Sequence, residues 1–183
     1  MLLGLALLLS PQALVEAAHE RTRHRVVYTP AYVKLAYPGG DVPADTGVCT
    51  DVVIRSYRKL GIDLQKRVHE DMRGAFAKYP NNWGLKRPDR NIDHRRVPNL
   101  RRYFERQGAS LPVTRRASAY KPGDLVTWMV GARGNLPHIG IVTDKKTWRG
   151  VPLIVHNIGA GPQLEDILFR YRITGHYRYF PKP

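Results

Sequence analysis

The sequence predicts an α+β domain in which helices from the first part of the chain pack on an antiparallel sheet from the second. Apolar residues recur at helical spacing between residues 45 and 108, and apolar runs bounded by Gly, Pro or charge take over after Pro122. No internal repeat or low-complexity linker divides the chain. Its 183 residues, 43% hydrophobic, suffice for one core but not comfortably for two.

The first apolar run, Leu2 to Leu9, is shorter than a bilayer span, and Val15-Glu16-Ala17 has the small-residue pattern of a signal-peptidase site. Residues 1–17 are therefore expected to be an export signal, although without a basic leading region, and 18–183 the single domain. The other reading is a buried N-terminal helix. Export would place the protein in the periplasm or outside the cell, with no membrane span left after cleavage.

Short extended pieces are expected at Val26 to Pro30 and Tyr32 to Leu35, then a turn at Tyr37-Pro38-Gly39-Gly40-Asp41. Asp45 or Thr46 can cap a helix carrying Val48, Val52, Val53, Tyr57 and Leu60, which Gly61 ends. Leu64, Val68, Met72 and Phe76 recur every four residues in a second helix, stopped at Tyr79-Pro80. Asn81 to Arg96 reads as loop, and Pro98 suits the first turn of a third helix through Leu100, Tyr103 and Phe104 to Gly108. Strands are expected at Asp124 to Val130, His138 to Thr143, Pro152 to Asn157 and Tyr171 to Phe180.

The chain has one cysteine, Cys49, so no internal disulfide can staple the fold. A lone cysteine in an exported chain is either a buried, inert residue or a free thiol with a task. Cys49 falls in the first turn of its helix, where unpaired N–H groups and the macrodipole favour a thiolate and could also hold an oxyanion. A thiol nucleophile needs a base, and the base needs an orienting partner. His138 opens a strand and is the candidate base; His156 ends the run Leu153-Ile154-Val155 and is the candidate orienter. Gly140 shares the His138 face by period-2 alternation and leaves room for a neighbour.

Charge points to polyanions. The formal net charge is +15, and residues 86–116 hold ten Lys or Arg against three acidic residues. With an export signal, the anionic cell wall and anionic lipid are favoured over nucleic acid, for which no zinc-finger, RNA-recognition or basic-zipper signature is present. A merely solvating basic face is the alternative. Asp93-His94-Arg95-Arg96 could grip carboxylates through paired guanidinium groups, or could be a capping and salt-bridge cluster. Tyr32 and Tyr37 could donate to an oxyanion or be ordinary packing residues, and Asp51 could serve only the helix dipole.

Cys49 at a helix start, Pro122-Gly123-Asp124-Leu125-Val126, His138-Ile139-Gly140-Ile141-Val142 and Val155-His156-Asn157 resemble, in that order, the landmarks of NlpC-type cell-wall cysteine hydrolases of the papain-like clan. Cys49-Thr50 also resembles the start of the CHAP amidase branch. Gly47 to Arg55 together with Asn91 to Leu100 is similar to the YijF-like exported bacterial family, a domain of unknown function. The resemblance implies a papain-like fold, a Cys49, His138, His156 triad, no cofactor and no metal, monomeric action, and peptidoglycan stem peptides as substrate. Asp93, His94, Arg95, Arg96, Tyr37 and Asp51 are the weaker substrate-binding candidates. NlpC-type peptidases commonly flank the nucleophile with Asp and Ser; Val48 and Thr50 stand here, so bond choice is not carried over.

Three other readings remain open at this level. His69-Glu70-Asp71, His94, His138 and His156 could feed a metal hydrolase, although no close pair has helical ligand spacing. The charge alone would suit a non-enzymatic wall-binding or polyanion-binding module. The same thiol chemistry would also run acyl or amide transfer.

Overall fold

The computed structural model describes residues 10–181. Its helices are α1 (Pro11–Arg21), α2 (Cys49–Lys59), α3 (Leu64–Ala75) and α4 (Val97–Arg106). Its strands are β1 (Val27–Tyr28), β2 (Thr46–Gly47), β3 (Ser110–Leu111), β4 (Leu125–Val130), β5 (Leu136–Lys146), β6 (Pro152–His156), β7 (Gln163–Glu165) and β8 (Arg172–Tyr177). β1 and β2 form a small parallel pair; the other six strands make an antiparallel sheet in the order β3-β8-β4-β5-β6-β7. This is the α+β arrangement that the sequence predicts.

The helix α2 holds the centre. Val53 and Tyr57 are fully buried, and Gly61, at φ 79°, closes the helix in a conformation that suits glycine. The α3 helix follows its predicted four-residue spacing, with Leu64 and Val68 fully buried, and ends before a short 3-10 turn at Phe76–Lys78. In α4, Leu100, Tyr103 and Phe104 face inward, and the Tyr103 hydroxyl meets the Tyr179 hydroxyl at 2.6 Å, closing the helices onto the C-terminal segment.

Period-2 alternation sorts the sheet into two buried faces. Leu125, Ile139, Ile141 and Val155 pack under the helices. On the other face Val126, Trp128, Val142 and Ile154 pack with Tyr120, Ile167 and Leu168 from the long connections, and the Trp128 indole N–H donates to the Leu168 carbonyl at 3.0 Å. The β5 strand runs further at both ends than the sequence suggests, whereas β8 stops at Tyr177. The non-local insertion of β8 between β3 and β4 has no signature in local pattern.

At the N-terminus, Ser10 caps α1 by accepting the Ala13 N–H at 3.1 Å. Ala13, Leu14, Val15, Ala17 and Ala18 are buried, and α1 packs on α2 and β5. The boundary expected at Ala17 falls inside this helix, and a cut there would strip Leu14 and Val15 from the core. The apolar run Leu2 to Leu9 lies outside the described residues. Among the described residues no helix is long and apolar enough to cross a membrane.

If α1 belongs to the folded unit, Leu14→Ala should lower stability by about 2–5 kcal/mol, as for other large-to-small core changes. Urea unfolding checks this, and an unchanged midpoint would show that the first helix is dispensable.

Candidate active site

Cys49 is the first residue of α2 and is buried. Three backbone N–H groups, those of Ile139, Thr50 and Cys49 itself, bear on its sulfur. The Ile139 contact follows from sheet geometry. Val142 N–H bonds toward β4, to the Asp124 carbonyl, so the alternate residues Ile139 and Ile141 point their N–H groups toward β6. But β6 pairs with β5 only from Ile141 onward, through Val155. The Ile139 amide, left without a strand partner, meets the sulfur instead, and the first turn of α2 fills the gap where the two strands diverge.

His138 precedes that amide. It sits opposite Trp128 in the β4–β5 ladder, and its ring lies 6.0 Å from the indole. Its Nε2 is 3.0 Å from Nδ1 of His156, with the two rings perpendicular. Its Nδ1 makes no hydrogen bond among the described residues, and neither does either imidazole with Cys49. The thiol meets the amide that follows His138, while the imidazole lies beside Trp128; no hydrogen bond joins the two side chains. Gly140 makes the histidine pair possible, because a Cβ there would stand 2.6 Å from an Ile154 methyl, 3.0 Å from the Val155 carbonyl and 3.1 Å from the His156 Cβ.

Burial sets the resting protonation. It pushes the Cys49 thiol up to about 12, reinforced by the Asp51 charge and opposed by the three amides. It also drives His138 down to about 3, with His156 beside it adding to the effect. His156 is lowered by burial too, against the pull of the Glu165 carboxylate. The site therefore rests as a neutral thiol beside neutral imidazoles. Tyr28 lies within electrostatic reach of the sulfur, and burial holds its phenol protonated, up to about 12. Tyr28 falls in the extended piece expected at Val26 to Pro30, but only the parallel β1–β2 pairing of Tyr28 with Gly47 brings it to the site.

The weaker candidates divide differently. Asp51 and Arg95 form a buried bidentate pair, with Nε to Oδ1 and Nη2 to Oδ2 both at 2.9 Å, and Asp51 also accepts the Val48 N–H at 2.7 Å. Thr50 donates to the Arg95 carbonyl at 3.1 Å. Asp93, His94 and Arg95 are one turn of 3-10 helix, all buried, with burial holding His94 near about 3. Arg96 stacks over Trp83 at 3.8 Å and bonds Asp93 at 3.2 Å. The segment is a scaffold behind the first turn of α2, and the carboxylate-gripping arrangement expected for Asp93 to Arg96 is not formed. Asp51 faces inward onto Arg95 rather than serving the dipole alone.

Tyr37 packs edge-on against His69 at 5.1 Å, and Tyr32 donates to Asp89 at 3.0 Å. Both stand apart from Cys49, on the side of a cleft of about 840 Å³ lined by Tyr32, His69, Lys86, Arg87, Arg90 and Asn91. A second cleft, of about 610 Å³, adjoins the site through Tyr28 and runs between residues 22–28 and 159–163. The basic stretch 86–116 is not one surface: Lys86, Arg87 and Arg90 are exposed, whereas Arg95 is buried.

Residues 15–179 match the family described as a domain of unknown function, DUF1287. The chain belongs to that family. It is 53% identical over 170 residues to the Escherichia coli K12 protein described as "Uncharacterized protein YijF", covering 93% of this chain and 82% of that one. Among solved structures it is similar to NlpC1 of Trichomonas vaginalis (TM-score 0.49, 14% identity, 94% of this chain and 45% of that one). It is also similar to NlpC2 of the same organism (TM-score 0.48, 14% identity, 97% of this chain and 50% of that one). It spans about half the length of either.

Gly140→Ala should force β6 away from β5 and break the His138–His156 contact, at a cost of about 1–3 kcal/mol. Unfolding curves and the imidazole NMR signals of the variant check it; unchanged His138 and His156 signals would contradict it. The buried histidines also fix a pH dependence. Unfolded, His94 and His138 take up protons near 6.5, whereas folded they refuse them until about 3. Stability is therefore full above about 6.5 and is lost as pH falls below it, by up to about 1.4 kcal/mol per pH unit per histidine. Denaturant midpoints at pH 7 and 5 test this; equal stability at both would contradict it.

Proposed function

We propose that this protein is an exported cysteine hydrolase that cleaves an amide bond of bacterial peptidoglycan through Cys49, with His138 as base and His156 as its orienting partner. One observation carries the reading: a hydrogen-bonded imidazole pair begins at the residue next to the amide that bears on the only sulfur nucleophile in the chain. An inert core cysteine has no use for such a neighbour. The order of Cys, strand His and strand His is also that of the NlpC-type landmarks. The substrate class rests on that resemblance and on the net charge of +15, which suits the anionic wall.

In this mechanism the thiol attacks the carbonyl carbon as its proton passes to Nδ1 of His138, the nitrogen left open by the Nε2 contact with His156. The N–H groups around the sulfur, and the protonated Tyr28 phenol, are the available donors for the oxyanion. His138 then protonates the leaving amine, and water releases the acyl group. The shifts on Cys49 and His138 both arise mainly from burial. Admission of a polar substrate along the cleft beside Tyr28 lowers the thiol value and raises the imidazole value together. Val48 and Thr50 carry no carboxylate, and the Thr50 hydroxyl is already bonded to the Arg95 carbonyl, so neither flanking side chain offers a charged partner to a free amine.

Incubation with purified sacculi and defined muropeptides, read by mass spectrometry, tests the proposal. Cys49→Ala should abolish product formation, His138→Ala should reduce it by about 10²–10⁴-fold, and His156→Ala should cost less, because water can partly replace an orienting group. Wall binding without any cleavage by the wild type would favour a binding module. Products joined to an added amine would mean transfer.

A further inference from the structure

The proposed mechanism needs one tautomer of His138, and nothing in the Cys49, His138, His156 set selects it. The base must carry its proton on Nε2 and leave Nδ1 bare. Its Nε2 faces Nδ1 of His156 at 3.0 Å, and a pair of neutral imidazoles can share one proton across that contact in two ways. If His156 holds its proton on Nε2, its Nδ1 accepts and His138 must donate from Nε2, so Nδ1 of His138 is a lone pair. If His156 holds its proton on Nδ1, it donates, and His138 is left with Nδ1–H, which cannot receive the thiol proton.

What decides lies on the far side of His156. Nε2 of His156 is buried, and Oε2 of Glu165, on β7, stands 2.8 Å from it. The carboxylate lies off the line of the ring N–H, so the contact is a close charge–dipole approach rather than a straight hydrogen bond; Glu165 is 37% exposed. In register, Glu165 faces Ile154, two residues before His156 on the same side of the sheet, which places its side chain diagonally beside the imidazole. A carboxylate only accepts, so it requires N–H at Nε2 of His156.

Resting on the hydrolase reading, we propose that Glu165 is a positioning residue that fixes the tautomers of both histidines and thereby leaves Nδ1 of His138 without a proton, as the base of that reading requires. When the thiol S–H breaks and N–H forms at Nδ1 of His138, the new positive charge is shared along Nε2–H···Nδ1 to His156 and countered by Glu165. The carboxylate keeps its charge and takes no proton.

Long-range proton–nitrogen NMR of the imidazoles tests this without any substrate, so its failure is distinct from failure of the hydrolase reading. His138→Gln and His156→Gln variants assign the signals. In the wild type at pH 8, both rings should be Nε2–H tautomers. In Glu165→Ala, with the other resonances unshifted as evidence of an intact fold, a substantial Nδ1–H population of His138 should appear beside the Nε2–H form. Glu165→Gln, whose amide oxygen still accepts the His156 proton, should retain the wild-type pattern. A wild-type His138 already protonated at Nδ1, or a His138 tautomer indifferent to Glu165→Ala, would overturn the proposal.

Discussion

The buried Asp51 carboxylate fixes the position of everything chemical in this fold. It closes the first turn of α2 by accepting the Val48 N–H and receives both nitrogens of the Arg95 fork. One side chain thus locks the N-terminus of the cysteine helix to the Asp93–Arg95 turn. Taking away one partner of such a pair leaves an uncompensated buried charge, at about 3–5 kcal/mol, so the arrangement is all-or-none. With α2 held there, Cys49 has one place to go, the gap where β6 leaves β5.

That gap is a second constraint, set by Gly140. The glycine lets the β6 backbone and the His156 side chain come close over β5, which brings the two imidazoles together while the Ile139 amide beside them turns to the sulfur. The helix carries the thiol in from one side, and the strand pair supplies the imidazoles from the other. Burial then holds thiol and imidazoles neutral, so the site is quiet until something polar enters. A resting state of this kind limits oxidation and adventitious acylation of the thiol.

Much of this was legible in the sequence. Helical spacing at Val52, Val53 and Tyr57 and at Leu64, Val68 and Met72 gave the helices, and alternation at Ile139, Gly140, Ile141 and Val142 correctly split the two faces of β5. Cys49 does fall in a first turn, but the cap is Val48, with Asp51 closing the turn, rather than the Asp45 or Thr46 that the sequence offers, because Thr46 pairs in β2. Other features depend on distant partners. Asp93 to Arg96 looked like a ligand-gripping cluster because the sequence cannot show that Arg95 meets an aspartate 44 residues earlier. Tyr28 and Glu165 reach the site through strand pairings of three residues or fewer, too short to carry a pattern. Alanine-rich, modestly apolar sequence suits both a cleavage region and a packed helix such as α1, and local pattern does not distinguish the two.

The central claim is that Cys49 forms a covalent acyl intermediate. Acid-quenched intact-mass analysis during turnover of a defined muropeptide measures it most directly, with peptide mapping of the modified residue. The account predicts an added acyl mass on Cys49 that decays as product appears. Product accumulating with Cys49 unmodified at every time point, or undiminished when alanine replaces it, would contradict it.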